Sequence, residues 1–398
     1  MKLYTAKTET SAENKIVVDD MILTKDIPTT AGSKMLEGYV SLFEAEVLTR
    51  LNNAGYGLCG KADVGEFSFD LLGETSCNGA NIVDGKLVNA AARIVSDGDA
   101  FAAITLDVNG STRRAAAQSG LVSIKPTYGT VSRYGTIPVA CSGETVSVTA
   151  KCPMCVREVL DVIAGHDDKD GTSLPEELCA KIKKGAEAKK AEKVAIIGDF
   201  LSCVYDDVKA KVDAASEALK AAGITVDVID SKVIESARVA WNILMCAELC
   251  NNVSRYDGVK FGYRSRNFTN LDELYVNSRT EAFGETLKTA ILFGSETLST
   301  ENYMKVYDKA LRTRRVIVEE FAKIFQEYDA VIIPACSSLA YTEETLKNKY
   351  IAFEENLFTA PASITGLPAV VSGSVQIIGK AFSENTLLDL AKIVKEGK

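Results

Sequence analysis

A serine set behind a strand, in a tight turn that opens a helix, is placed for nucleophilic attack, because backbone N–H groups of the turn and first helical turn can hold an oxyanion. Ser111, after the apolar run AAITLDVNG, has that setting. A free hydroxyl is a weak nucleophile and needs a base. The one histidine, His166, lies in the polar loop GHDDKD, where it reads as an exposed or capping residue rather than a member of a Ser-His-Asp triad. A lysine can serve instead if burial lowers its pKa. Lys61, at the end of the apolar stretch YGLCG, is the candidate. On local sequence alone a second reading stays open, with Ser111 a helix cap and Lys61 a surface residue. No metal-ligand cluster competes, and VNGSTR lacks the glycines and the lysine of a nucleotide loop, so no metal and no cofactor are expected.

Positioning these two groups takes strands and helices in alternation. Residues 17–23 read as a short strand, and the apolar positions Leu36, Val40, Leu42, Phe43, Val47 and Leu48 predict a helix from about Leu36 to Asn53. YGLCGKAD is a strand running into Lys61, Ala90–Ile94 is helical, AAITLDVNG is a strand, and a helix opens at Ser111. Pro153 starts another helix. VAIIGD, a helix over 205–221 and ITVDVID repeat the strand-helix-strand rhythm; 231–252 and 284–327 are helical territory. AVIIPA is a core strand, GLPAVVSGSVQII is strand and turn, and 383–396 is a terminal helix. The pattern predicts an α/β chain with a central mixed twisted sheet covered by helices on both faces. It is expected to be one domain over 1–398, with a mainly helical subregion at about 231–327.

Composition narrows the classes. With 46% hydrophobic and 25% charged residues the chain can bury a large core and is not of the disordered type. A net charge of -9 and one modest lysine cluster at 183–192 argue against general nucleic-acid binding. A polar start and the absence of any run of 18 apolar residues predict neither a signal peptide nor a membrane span. The ten cysteines are therefore expected to be reduced thiols in a cytoplasm. Cys152 and Cys155 have the CPMC spacing, which in a redox pair wants a helix N-terminus beneath a strand, and in a zinc site a second pair or histidines. Neither is evident in the sequence, and the pair reads as buried or incidental thiols.

Longer stretches carry a resemblance. TTAGSKMLEGYV (Thr29–Val40), LCGKADVGEF ending at Phe67, SIKPTYGTVSRYGTIP ending at Pro138, VLDVIAGHDDKDGTS, SRYDGVKFGYRS, ALRTRR ending at Arg315, YDAVIIPA, FTAPASITGLPA and VQIIGKAFSENTLL resemble the amidase signature family. Within it they are similar to the A subunits of glutamyl-tRNA(Gln)/aspartyl-tRNA(Asn) amidotransferases. The resemblance implies the family's fold. It also implies a working triad of a lysine, a serine in an unusual cis peptide and a nucleophilic serine. The lysine falls on Lys61 and the nucleophile on Ser111. Asp107, Gly110 and Arg113 match the family's turn and following arginine, while Asn109 replaces its first glycine. Counting back the family's 24 residues from Ser111 gives Leu87, and no serine lies in 80–95. Leucine can neither donate nor accept, so the relay is cut at its middle. The family's lysine-aspartate-asparagine element becomes Asp19, Asp20 and Met21, its serine-leucine-aspartate-glutamine segment becomes Ser142 to Thr145, and the last hairpin is short.

The resemblance therefore implies an amidase-like homologue of the A subunit, impaired in amide hydrolysis and acting as a scaffold or binding protein. The alternative is an active glutamine amidohydrolase subunit supplying ammonia for transamidation of misacylated tRNA. B- and C-like subunits or self-association are the expected partners, with tRNA met only indirectly. Tyr256, Asp257 and Arg264, in SRYDGVKFGYRS, resemble the acceptor-substrate side of the A subunits; a loop held by its own aromatic and ionic contacts is the competing reading. Cys77, Cys141 and Ser142 are further polar groups for a remodelled pocket.

Overall fold

The computed structural model describes residues 2–186 and 189–397, so two positions of the 183–192 lysine cluster lie outside the described residues. The strands are β1 (Tyr4–Lys7), β2 (Lys15–Asp19), β3 (Gly57–Ala62), β4 (Ile82–Val83), β5 (Lys86–Leu87), β6 (Ala102–Asp107), β7 (Val122–Lys125), β8 (Thr145–Ala150), β9 (Lys193–Ile197), β10 (Thr225–Ile229), β11 (Ala330–Pro334), β12 (Ala369–Ser372) and β13 (Val375–Gly379). Eleven of them form one mixed sheet in the order β1-β3-β2-β6-β8-β7-β12-β13-β11-β9-β10, and β4 and β5 pair separately. The trio β3-β2-β6 is parallel, as is β11-β9-β10, and antiparallel ladders join the two. This is the mixed sheet with helices on both faces that the alternation predicts.

Side chains alternate across the sheet with period two. Ile16, Val18, Ile104 and Val148 join the apolar cluster that holds α1 (Glu46–Asn53) and α4 (Pro153–Ile163). Val17 and Ala103 join the opposite cluster, with α2 (Ala90–Asp97) and α3 (Ser111–Ser119). On that second face the sheet is polar beneath α3. Thr105, Asp107, Ser123, Lys125, Ser147 and Thr149 are all buried there, and the Thr105 and Thr112 hydroxyls lie 3.0 Å apart.

Two expectations need correction. The helix expected from Leu36 to Asn53 is a 3-10 turn at Lys34–Leu36 followed by α1 from Glu46. Gly38, at φ +81°, breaks the first turn, and Val40 and Ser41 form bridges with Pro28 and Lys25. Leu42 and Phe43 are consequently exposed rather than core. The second correction concerns Cys152 and Cys155, which are joined as a disulfide rather than held as reduced thiols. Both the strand and the helix that the CPMC spacing wants are present: β8 ends at Ala150, and Cys152 is the N-cap of α4. The other eight cysteines are free.

Candidate functional site

The three parallel strands β3, β2 and β6 end on one side of the sheet, and their carboxyl ends carry the site, as open α/β sheets generally do. Lys61 comes from β3, Asp19 and Asp20 from the end of β2, Asp107 from the end of β6, and Ser111 opens α3. Lys61 is wholly buried. Its ammonium is 3.0 Å from Asp20 Oδ1, donates to Pro28 O at 3.2 Å, and donates to Thr29 Oγ1. Asp20 is held in turn by its other oxygen, which accepts from Thr30 N at 2.9 Å and Thr30 Oγ1 at 2.5 Å. Burial pushes the Lys61 pKa down, and the carboxylates of Asp20 and Asp19 oppose that shift. Asp19 is pushed up to about 7 by burial, although its oxygens accept from Leu106 N at 2.7 Å and Met21 N at 3.1 Å.

Ser111 is the first residue of α3 and is only 4% exposed. Its turn is fixed from behind. Arg113 forms a two-pronged pair with Asp107, Nε to Oδ2 at 2.8 Å and Nη2 to Oδ1 at 3.0 Å. The same guanidinium donates to Thr359 O and Gln376 Oε1 at 2.8 Å each, and to Ser363 Oγ at 2.6 Å. Burial opposes ionisation of Asp107, but the Arg113 charge and hydrogen bonds, with the charges of Lys125 and Arg114, together hold the carboxyl below its usual range. Gly110 adopts φ +79°, and a Cβ there would lie 2.3 Å from Thr359 Cβ, so only glycine fits. Asn109 is buried with both side-chain amide atoms unpartnered. Among the described residues no hydrogen bond joins Lys61 to Ser111. Leu87 lies in the β4–β5 hairpin, its N–H donating to Tyr341 O at 2.8 Å and its side chain packed in the apolar cluster that includes Leu71, Leu72 and Tyr341.

The remaining expected residues are placed elsewhere. Tyr256 is buried with its ring 5.6 Å from that of Phe67, Asp257 accepts from Val259 N and Lys260 N of its own loop, and the Arg264 guanidinium sits over the Phe268 ring. His166 bonds Leu174 O and Asp168, well apart from Ser111 in the hydrogen-bond network. Cys77 is exposed, its N–H donating to Gly32 O. Ser142 donates through N to Glu248 at 2.9 Å, and Cys141 Sγ accepts from Asn252. Two participants escaped sequence reasoning. Thr29 lies in a quoted motif but only the fold brings it to Lys61. Lys125, wholly buried on β7, is pushed down to about 7 by burial and by Arg113; its signals were a cation ending a strand whose other residues are Val, Ser and Ile, and its place in SIKPTYGTVSRYGTIP.

The comparisons agree with this geometry. The profile of the Amidase family matches residues 15–388. The glutamyl-tRNA(Gln) amidotransferase A subunit of Streptococcus pneumoniae (strain 70585) is 33% identical over 394 residues, covering 94% of this chain and 81% of the relative. That of Campylobacter hominis is 34% identical over 404 residues, covering 96% and 88%. The crystal structure of the Thermotoga maritima glutamyl-tRNA(Gln) amidotransferase A subunit superposes with a TM-score of 0.82 at 25% identity, covering 99% of this chain and 87% of that one. The strand-turn-helix that carries Ser111, the buried lysine two strands away in the same parallel trio and a match along nearly the whole chain lead to one assignment: the chain belongs to the amidase family.

Proposed function

We propose that this chain is an amidotransferase A-subunit-like protein in which amide hydrolysis is impaired, and that it acts as a scaffold or binding protein. The observation that carries this reading is the state of Lys61. Lys61 donates to Thr29 Oγ1 and Pro28 O and faces Asp20 Oδ1 at 3.0 Å, and among the described residues it makes no hydrogen bond to Ser111. The polar contacts of Lys61 are with the segment that follows β2 and none is with Ser111, and Leu87 supplies no polar atom to relay a proton. Substrate access is also restricted, since Ser111 is buried. In support of a binding role, Tyr39 and Phe261 line a surface cavity of about 530 Å³, close in sequence to the exposed Val40, Leu42, Phe43 and Val259. B- and C-like subunits, or a second copy of the chain, are the partners proposed for it.

The test is direct. Purified protein is expected to release no more ammonia from glutamine or asparagine than the S111A variant, and to resist labelling by a serine-directed fluorophosphonate. Co-purification from the native cell would identify the partner. Ser111-dependent turnover would instead favour the second reading, a working glutamine amidohydrolase subunit. That reading draws support from the helix that Ser111 opens, whose first N–H groups have no intrahelical acceptor and suit an oxyanion.

A further inference from the structure

Strands β2, β6 and β8 have a second end. β8 runs antiparallel to β6, from Thr145 opposite Asp107 to Ala150 opposite Ala102. Its far end therefore lies a full strand away from the Ser111 turn, about 17 Å at the usual rise per residue. There the chain passes Lys151 and enters α4 through Cys152-Pro153-Met154-Cys155. Both cysteines are half-buried, and Met154 between them is exposed. Cys155 lines a cavity of about 830 Å³. Three lysines, Lys7, Lys15 and Lys151, also line it, against two acids, Glu13 and Asp99.

We propose that Cys152 and Cys155 are a dithiol–disulfide exchange site, served by this cavity, for low-molecular-weight thiols and disulfides that carry carboxylates. The two sulfurs have different roles. Cys155 faces the cavity and is the sulfur that is attacked. Cys152 caps an 11-residue helix, and its Sγ accepts the Cys155 N–H at 3.1 Å. That amide and the helix N-terminus stabilise a Cys152 thiolate, which makes it the better leaving group. In reduction, a thiolate RS⁻ bonds to Cys155 Sγ, the Cys152–Cys155 bond breaks, and Cys152 leaves with the electron pair. A second RS⁻ then attacks the R sulfur of the mixed disulfide, RSSR departs, and Cys155 leaves as thiolate. The two protons released by two RSH are taken up by the two cysteines, so two electrons and two protons pass from the small thiols to the protein. Cys59 opens on the same cavity from β3, but burial pushes its thiol up, so it stays protonated and does not compete. The lysines supply the preference for anionic reagents.

Glutathione and its disulfide are the probes. In wild-type protein, millimolar glutathione is expected to open the Cys152–Cys155 bond reversibly, read by differential alkylation and mass spectrometry, with a transient glutathione adduct on Cys155. The C152S variant is expected to trap that adduct on Cys155 from glutathione disulfide. A K15Q/K151Q variant should slow reduction by glutathione roughly tenfold at low salt, and reduction by neutral 2-mercaptoethanol by less than about twofold. A bond that withstands prolonged glutathione treatment overturns the proposal. So does an adduct that forms on Cys152 in preference to Cys155, or a lysine variant that slows both reagents equally. Should C152S fail to fold, the wild-type reduction and the position of its transient adduct decide the matter alone.

Discussion

At the scale of single residues the site turns on where one proton sits. The ammonium of Lys61 and the carboxylate of Asp20 are both wholly buried, so each is tolerable only beside the other. Replacing Lys61 by Met leaves Asp20 an uncompensated buried charge and is expected to cost about 3–5 kcal/mol. Adding Asp20→Asn should return much of that loss, giving a coupling of about 2 kcal/mol in a double-mutant cycle read from urea midpoints. Additive single effects would mean that the pair does not hold the site together. Asp19 carries a second expectation. Its folded pKa is raised to about 7, above that of an unfolded aspartate, so the folded state binds the proton more tightly. Its contribution is therefore most favourable below about pH 4 and is lost as pH rises through about 7, at up to ~1.4 kcal/mol per pH unit. Urea midpoints taken at about pH 5 and pH 8 should fall more steeply for wild type than for Asp19→Asn. Parallel profiles would show that Asp19 does not titrate in this window. That Lys61 and Ser111 were the groups to watch was legible in their local sequence. Their partners were not, because Thr29 is 32 residues from Lys61 and Gln376 is 263 from Arg113, and only the fold closes those distances.

At the scale of elements, strands with a strong apolar run and helices with a clear start were the readable part. β6, α3 and β9 lie where their apolar runs and the Asn-Gly-Ser turn place them. β8 went unread: it alternates valine with threonine and serine, and its polar face is buried under α3 beside Lys125 and Asp107. The same polar layer explains how α3 is fixed: Arg113 ties its first turn to β6, to β13 and to the helix Asn356–Thr365. The approach of that helix to the Ser111 turn is so close that Gly110 has no room for a side chain. Gly110→Ala combines a positive φ with a Cβ inside Thr359, and is expected to cost about 2–4 kcal/mol. A thermal midpoint within a degree or two of wild type would mean that the helix moves aside freely and that the turn is not clamped.

At the scale of the whole molecule, the question is whether the helical span at about 231–327 stands as a unit of its own. Its contacts argue that it does not. The one tryptophan, Trp241, lies on the helix Ala237–Val253 with its ring against Gly143, where a Cβ would come within 2.1 Å of it. From the same helix Glu248 accepts from Ser142 N, Asn252 donates to Val139 O at 3.0 Å, and Asn242 accepts from Asn356 at 2.6 Å. These bonds tie it to the loop before β8 and to the helix that clamps Ser111. One apolar cluster runs from Ile16 on β2 through Trp241 to Val394 on the terminal helix Glu384–Glu396. A chain of 398 residues is long enough to unfold in steps if its parts are separable. Here Trp241 cannot leave its surroundings without opening the loop before β8 and the core beneath it. Urea unfolding followed by Trp241 fluorescence, which reports the helical span, and by far-ultraviolet circular dichroism, which reports every element, should therefore give coincident transitions with one midpoint. A fluorescence transition that precedes the dichroism change would mark the helical span as a separable domain and remove the mechanical link between it and the Ser111 turn.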